Sequence, residues 1–423
     1  MLYHIPFPVL PVAPSWYPGH MTQFARLLPG LLRRTDIVLE LRDSRLPLTS
    51  INRNFEGALL KWQRERGNVP CGVLDEMKTP VDDTQPFAPL CERIIVFNKR
   101  DLVPSWGIEP FRKALAAKYP GQTVFFSSTD RPKDVRELSK LIVNIARRNR
   151  QAPETNVLVV GMPNIGKSTL LNALRSMGID GPTPKALQTS ANPGKTRTVS
   201  TRLKLSQDPL VYSYDSPGVM LPFLGHGDRG AERGVKLALI AGIKEGLYDA
   251  EPLASYLLYR LNLLDPVAPA YLDILPPGSS PTTEVEVFLD MLGKRLGMLG
   301  RGGIVDQNRA AVWFLLWWRN EGARVSAKSA LPASHVLPSA AGAERRHGWG
   351  FDLEWTVTPE EAKRYDESVV QRKMEECMDK FDMDAAREEK EGLSSTQVKK
   401  RAREEELARR ARRTSARVGG ARK

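Results

Sequence analysis

The sequence predicts an α/β protein: a mostly parallel sheet carrying a phosphate-binding loop, followed by a small all-α region and a charged tail. Three observations predict it. Short apolar runs alternate with helical periodicity from "DIVLELR" (36–42) to "LVYSYDSPG" (210–218), the pattern of strands joined by covering helices. One run, "NVLVV" (156–160), leads straight into "GMPNIGKS" (161–168), the two-glycine, Lys, Ser pattern of a phosphate loop. Beyond about residue 230 the strand pattern stops and helical periodicity takes over.

The elements follow in order. Residues 36–42 and "RIIVFN" (93–98) read as buried strands. Between them lies a long connection whose second half has no helical period and holds three prolines, so 57–92 is read as a surface insertion. Residues 107–118 read as a helix, "TVFF" (123–126) as a strand and 133–149 as an amphipathic helix. The strand 156–160, the glycine loop and the helix "STLLNALRSM" come next, and "LVYSYDSPG" is a strand ending at an acidic turn. "GVKLALIAGIKEGL", "LASYLLYRLNLL", "EVEVFLDMLGKRLG" and "DQNRAAVWFLLWW" fit helices separated by Pro and Gly. From about 326 to 350 the chain is Ala/Ser/Gly/Pro-rich, like a linker, and 358–413 is charged helical sequence with little to bury.

Composition bounds the function. The 423 residues suffice for two or three domains, and 41% hydrophobic with 26% charged residues describes a globular protein with polar extensions. The longest apolar run, "AAVWFLLWW" (310–318), is about half of what a bilayer requires, so no transmembrane segment is expected. Net charge is +13, which favours polyanionic partners. The segment 399–423 concentrates it, with eleven Lys or Arg against three Glu, a basic arm suited to nucleic acid. Cys71, Cys91 and Cys377 lack zinc spacing and suit a reducing compartment. The proline-punctuated N-terminus has no arginine before Arg26 and resembles neither a secretory signal nor an Arg-rich transit peptide.

The loops carry the chemistry. In the phosphate loop the glycines let backbone N–H groups face phosphate oxygens, making Asn164, Ile165, Gly166, Lys167, Ser168 and Thr169 candidate nucleotide-binding positions. Lys167 would neutralise the β/γ-phosphates and the Ser168 hydroxyl would ligate Mg²⁺. "NKRD" (98–101) selects the base. Asp101 can accept from the N1–H and amino group of guanine, a donor pair adenine lacks; Asn98 would bond the other edge and Lys99 lie along the ring. Ser127 and Ser128, in "FSST" (126–129), sit where a backbone N–H would meet guanine O6. In "DSPG" (215–218), Asp215 would hold Mg²⁺ through water and the Gly218 N–H would face the γ-phosphate. Thr196, in "NPGKTRT" (192–198), is the candidate switch threonine completing Mg²⁺ coordination, with Thr198 the alternative. After Gly218 comes Val219, where Ras-like enzymes place a water-orienting glutamine soon after this glycine. A hydrophobic side chain cannot orient water.

The order of these motifs resembles a family. Base loop, serine loop, phosphate loop, switch threonine and "DSPG" succeed one another as in the circularly permuted GTPases, and "WYPGHM" (16–21) with "DIVLELRDSRLPLTSINRNFE" (36–56) resembles the YlqF type. The resemblance covers about residues 16–325. It implies a permuted GTPase domain at 16–250 after an N-terminal extension at 1–15, an RNA- or ribosome-binding helical domain at 251–325, and a linker and tail at 326–423. It also implies GTP and GDP as substrate and product, Mg²⁺, and action on the large ribosomal subunit and its rRNA. His20, in "PGHM", matches the family histidine proposed to replace the missing glutamine, joining Lys167 and Thr196 as a catalytic candidate. Asn164 matches the asparagine that ligates K⁺ in potassium-dependent relatives. The 57–92 insertion and the long tail depart from the compact bacterial pattern. They suggest a eukaryotic, mitochondrial member, expected in the matrix with peripheral inner-membrane association as an option; a bacterial chain of this kind would be cytoplasmic. A monomer is expected. Two other classes compete: a nucleotide-gated RNA-binding scaffold with negligible hydrolysis, motivated by Val219, and an ATPase or kinase, disfavoured by "NKRD".

Overall fold

Strand β1 (Ile37–Asp43) is buried at every residue and lies inside a six-stranded sheet. The computed structural model describes residues 5–14, 16–66, 91–148, 152–179, 181, 186–187, 202–221, 224–225, 227–329 and 345–391. Helix α1 (Gly19–Leu32) precedes β1 and buries Met21, Phe24, Leu28 and Leu32, a three- and four-residue spacing that gives one apolar face. Helix α2 (Arg53–Glu65) follows. The expected 57–92 insertion thus begins inside a helix whose Leu59 and Trp62 are core residues, and 67–90 lie outside the described residues.

The succession continues with β2 (Glu92–Asn98), α3 (Ile108–Lys118), β3 (Thr123–Phe126), α4 (Pro132–Arg148), β4 (Thr155–Gly161), α5 (Lys167–Gly178), β5 (Leu203–Ser206) and β6 (Val211–Asp215). The sheet order is β3-β2-β1-β4-β6-β5, parallel except for β5, which runs antiparallel to β6. Strands buried on both faces read as apolar runs, which is why β1, β2 and β4 were legible. Two exceptions in β1, Glu40 and Arg42, are satisfied internally. Arg42 Nε donates to Glu40 Oε1 at 2.7 Å, and Arg93 Nε on β2 donates to Glu40 Oε2 at 2.9 Å. Burial alone would raise the Glu40 carboxyl; the two guanidinium groups outweigh it and hold it near 2. Register pairs Asp43 with Asn98, Leu41 with Gly161, Phe97 with Phe126 and Val159 with Asp215. The carboxyl ends of five strands therefore share one sheet edge, where open α/β sheets bind ligands.

Helices α6 (Gly227–Leu239), α7 (Ala250–Leu264), α8 (Val285–Arg295), α9 (Gln307–Trp317) and α10 (Ala323–Ser326) follow. The helix expected through Leu247 stops at Leu239, where Ala241 takes a left-handed φ of 55° and Gly242 N–H caps Leu237 O at 2.8 Å. A π-turn at Trp318–Gly322 joins α9 to α10. Then comes a hairpin that the linker reading did not anticipate: β7 (Arg345–Trp349) pairs antiparallel with β8 (Leu353–Val357). Trp349, Phe351, Leu353, Trp355 and Val357 alternate into the interior. Trp349 Nε1 donates to Pro104 O at 2.9 Å, Phe351 N–H donates to Arg45 O at 2.7 Å, and the Phe351 ring stacks on Trp318 at 5.0 Å. Helices α11 (Pro359–Ala362) and α12 (Glu367–Glu391) close the described chain. Residues Met1–Glu375 form one compact unit and 376–423 a second; the basic arm at 399–423 lies outside the described residues.

Candidate functional site

The phosphate loop turns between β4 and α5 at the carboxyl edge of the sheet. Gly166 takes a φ of 91°, and a Cβ there would sit 2.6 Å from Asn98 Nδ2, so only glycine fits. Asn164 also adopts a left-handed φ of 58°, which an asparagine tolerates. Its side-chain Nδ2 donates to Ile240 O at 3.0 Å, tying the loop to the end of α6. Ile165 is buried beneath the loop and Thr169 is exposed on α5. The loop ends at the N-terminus of α5, whose unpaired N–H groups and dipole favour an anion. Lys167 is buried and donates to its own loop carbonyls, Met162 O at 2.7 Å and Gly161 O at 3.2 Å. Burial pushes its ammonium down to about 8 against the pull of Asp215.

The loop after β2 touches the phosphate loop directly. Asn98 Nδ2 donates to Ile165 O at 2.8 Å, and Lys99 Nζ donates to Asn164 O at 2.6 Å. Lys99 has a left-handed φ of 60° and its Nζ lies 3.4 Å from Asp43 Oδ2. Burial lowers its ammonium to about 8, with Asp43 opposing. Asp101 follows in a short 3-10 turn, its side chain 15% exposed. Ser127 and Ser128 are buried beside it: Arg100 N–H donates to Ser127 O at 3.1 Å, and Ser127 N–H to Phe97 O at 2.8 Å. Ser128 N–H donates to Asp134 Oδ2 at 3.1 Å, and Arg100 Nε and Nη2 grip the same carboxylate at 2.5 and 2.6 Å.

The turn after β6 completes the edge. Ser168 Oγ donates to Asp215 Oδ2 at 2.5 Å. Burial raises the Asp215 carboxyl, while Lys167 and Ser168 pull it back. Ser216 Oγ donates to Val159 O at 2.6 Å, and a Cβ on Gly218 would sit 2.5 Å from Pro163 Cα. The acidic turn thus lies against the phosphate loop. Ser168 and Asp215 offer a hydroxyl and a carboxylate within bonding distance of each other, an all-oxygen pair that fits Mg²⁺, a hard cation that keeps several waters and takes phosphate oxygens as further ligands. Val219 is 1% exposed: its N–H donates to Gly161 O at 3.2 Å and its carbonyl accepts from Asn52 Nδ2 at 3.1 Å. Its side chain belongs to the core. His20 is half-buried in the first turn of α1, next to Met21, whose sulfur accepts the Met220 N–H at 3.4 Å. The structure therefore brings Asn98, Lys99, Asp101, Ser127, Ser128, Asn164–Ser168, Asp215 and Gly218 to one edge. Thr196 and Thr198 lie outside the described residues.

Three supporting groups escaped the sequence reading. Ser44 N–H and Oγ donate to Asn98 O at 2.9 and 2.7 Å and so fix the base loop. Asp43 is gripped by Arg45 Nε at 2.9 Å and Nη2 at 2.8 Å. Burial would raise its carboxyl, but Arg45 and Lys99 hold it well below the usual carboxylate range. The third group is Asn52, which bonds Val219. A short polar residue after an apolar strand gives no local sign of such partners; only "RDSR" (42–45), dense in charge beside a buried strand, hints at them.

The chain is similar to known proteins. Residues 156–249 match the family described as 50S ribosome-binding GTPase. Mitochondrial GTPase 1 of Schizosaccharomyces japonicus is 30% identical over 325 residues, covering 72% of this chain and 87% of that protein. Mitochondrial ribosome-associated GTPase 1 of Xenopus tropicalis is 32% identical over 254 residues, covering 58% of this chain and 70% of that protein. A solved GNP-bound YlqF from T. maritima is 20% identical, covering 72% of this chain and 94% of that one with a TM-score of 0.41. On the shared length and identity, this chain is a GTP-hydrolysing enzyme that belongs to the mitochondrial GTPase 1 family.

Proposed function

We propose that the protein is a circularly permuted GTPase that acts on the large ribosomal subunit of mitochondria, with its helical region on rRNA and its hydrolysis stimulated by the particle. The observation that carries the nucleotide reading is the bond from Asn98 Nδ2 to Ile165 O. A base loop that precedes the phosphate loop by more than sixty residues is bonded to it, as one pocket for one guanine nucleotide requires. The permuted reading is supported by the sheet order, in which β1, β2 and β3 come first in sequence yet extend outward from the phosphate-loop strand β4. The ribosomal and mitochondrial parts rest on the names of relatives, among them mitochondrial ribosome-associated GTPase 1, and on the basic composition of the chain. No described helix is long and apolar enough to cross a membrane; we infer a monomer in the matrix whose contact with the inner membrane would be peripheral.

Each residue then has a task. Asp101 accepts from the N1–H and amino group of guanine, Asn98 uses its second amide hydrogen on the other base edge, and Lys99 covers the ring. Backbone N–H groups from Ile165 to Thr169 hold the phosphates, and Lys167 exchanges its loop carbonyls for phosphate oxygens. Ser168 and Asp215, joined by Thr196, would hold Mg²⁺, which neutralises charge on the β- and γ-phosphates. Asn164 is the candidate K⁺ ligand through its amide oxygen, its nitrogen being engaged by Ile240. Water attacks the γ-phosphorus, forming one P–O bond as the bond to the β-phosphate oxygen breaks, and yields GDP and phosphate. Val219 is locked in the core, so His20, on the helix that abuts Met220, is assigned to orient that water.

The test is GTP hydrolysis by the full chain alone, with mitochondrial large subunits and with small subunits. The expected result is acceleration by the large subunit only; equal rates in all three arms would overturn the ribosomal reading. His20→Ala should lower the stimulated rate while leaving GTP affinity within about twofold, because a water-orienting group acts in the transition state.

A further inference from the structure

The base pocket holds a contact that the nucleotide motifs do not account for. Arg324, on α10, stands between two acidic groups on the two loops assigned to guanine. Its Nη2 bonds Asp130 Oδ2, and its Nε lies 3.5 Å from Asp101 Oδ2. Asp130 belongs to the serine loop: its N–H donates to Ser128 Oγ at 3.2 Å. One guanidinium thus ties the loop that reads the Watson–Crick edge to the loop that would meet O6.

The element carrying Arg324 is well anchored. Ala323 is 1% exposed and Ser326 Oγ donates to Gly322 O at 2.7 Å. One turn earlier, Arg319 Nε donates to Leu239 O and Nη2 to Ala238 O, both at 2.9 Å, at the end of α6. Next to those carbonyls is Ile240 O, which accepts from Asn164 of the phosphate loop. A short stretch, 319–324, therefore reaches both the base loops and the support of the phosphate loop.

We propose that Arg324 is a positioning residue for guanine, aiming the Asp101 carboxylate and holding the base loop against the serine loop. The inference rests on the reading of Asp101 as the guanine-recognising group. The geometry suits positioning rather than competition. Arg324 Nη2 bonds Asp130, and its Nε, 3.5 Å from Asp101 Oδ2, faces one oxygen of a carboxylate with about four acceptor sites, leaving room for both guanine donors. Arginine suits the task because its planar fork serves two acceptors at once. By linkage, whatever displaces the 319–324 stretch weakens guanine binding, and guanine in turn steadies that stretch.

The experiment measures binding and release of fluorescent GDP and inosine diphosphate by the full chain. Inosine lacks the amino group, so it uses only one of the two bonds to Asp101. Arg324→Ala should lose about threefold to tenfold in GDP affinity, the scale of two part-exposed ion pairs, with the loss in faster release. The loss for inosine diphosphate should be smaller, narrowing the preference between the two bases. Asp130→Ala, which removes the other end of the bridge, should narrow it in the same direction. Unchanged or tighter GDP binding in Arg324→Ala, equal losses for the two bases, or an Asp130→Ala protein of unaltered preference would each overturn the proposal. Asp101→Asn is the separate control: it should shift binding toward xanthosine diphosphate, and if it keeps full guanine preference, the underlying reading fails rather than the role of Arg324.

Discussion

Asn98 donates its side-chain amide to the backbone carbonyl of Ile165 at 2.8 Å, joining loops that are sixty-seven residues apart in sequence. The bond makes the base loop a support of the phosphate loop, and it explains why residue 166 must be glycine, whose missing Cβ would strike that amide. Removing the amide should therefore harm both ends of the nucleotide site. Asn98→Ala is expected to weaken GDP binding by about 10- to 100-fold, corresponding to about 1.5–3 kcal/mol for losing hydrogen bonds at a buried polar site. Ser44 still holds the Asn98 backbone carbonyl, so the strand end should stay in place. Equilibrium titration with fluorescent GDP checks this; a loss under twofold would show that the amide serves only the loop.

Two lysines of the site, the buried Lys167 and the part-exposed Lys99, should make nucleotide binding pH-dependent. Burial lowers Lys99 and Lys167 to about 8, against the attraction of Asp43 and Asp215. Phosphate oxygens beside Lys167 favour its charged form and raise that pKa on binding. The free protein is thus partly deprotonated above pH 8 where the complex is charged. Binding should take up protons between about pH 8 and the higher pKa of the complex, and affinity should fall as pH rises through that window. Below about pH 7 Lys167 is charged in both forms and adds no further slope. Calorimetric GDP titrations at about pH 8.5, in two buffers of different ionisation enthalpy, measure the uptake. Zero protons taken up would mean that Lys167 is already fully charged in the free site.

The parts of this molecule that were readable in the sequence are those with local signatures. Apolar runs marked β1, β2 and β4, and glycine spacing marked the phosphate loop. What escaped depends on partners far away in the chain. Ser44 meets Asn98 across fifty-four residues, and Asp352 meets Thr49 across 303. The hairpin does carry a period-two pattern from Trp349 to Val357, but it follows an Ala/Ser/Gly/Pro-rich stretch and holds Gly350 at its tip, so composition pointed to a linker. Helix α1 was hidden because Pro29 sits inside it and Pro18 at its start, both of which read as breaks. The switch threonine stays a sequence expectation, because Thr196 lies outside the described residues.

The Ser168–Asp215 pair predicts how the metal matters. At 2.5 Å the hydroxyl is already turned to the carboxylate, so a divalent cation needs only to insert between groups that converge. Chelating Mg²⁺ should speed GDP release from the unaltered protein by about tenfold or more. Ser168→Ala should respond to the same treatment by less than about twofold, since the proposed hydroxyl ligand to the ion is gone. Release of fluorescent GDP, chased with unlabelled GDP in Mg²⁺ or in chelator, measures both. A Ser168→Ala protein that keeps the full response would remove this hydroxyl from the metal site.

The hairpin should matter for stability through one carboxylate. Asp352 Oδ2 accepts the N–H groups of Leu48 at 2.8 Å and Thr49 at 2.7 Å, Oδ1 accepts the Thr49 hydroxyl at 2.7 Å, and Lys236 Nζ on α6 lies 3.3 Å away. The side chain is 3% exposed. Replacing it with alanine strands two buried N–H groups, while Lys236 keeps Glu232, 3.0 Å away, as its acidic partner, a loss of about 2–4 kcal/mol by the scale for unsatisfied buried donors. Asp352→Asn keeps one or two of the bonds and should lose less. Because the same stretch after β1 carries Ser44, which holds the base loop, Asp352→Ala should also weaken GDP binding severalfold, whereas an ornamental hairpin would leave it unchanged. Urea unfolding with and without GDP separates the effects: the midpoint should drop in both conditions, and the gain from added GDP should shrink in the variant as its affinity falls. A midpoint corresponding to less than about 1 kcal/mol of loss would place the hairpin among ordinary surface features.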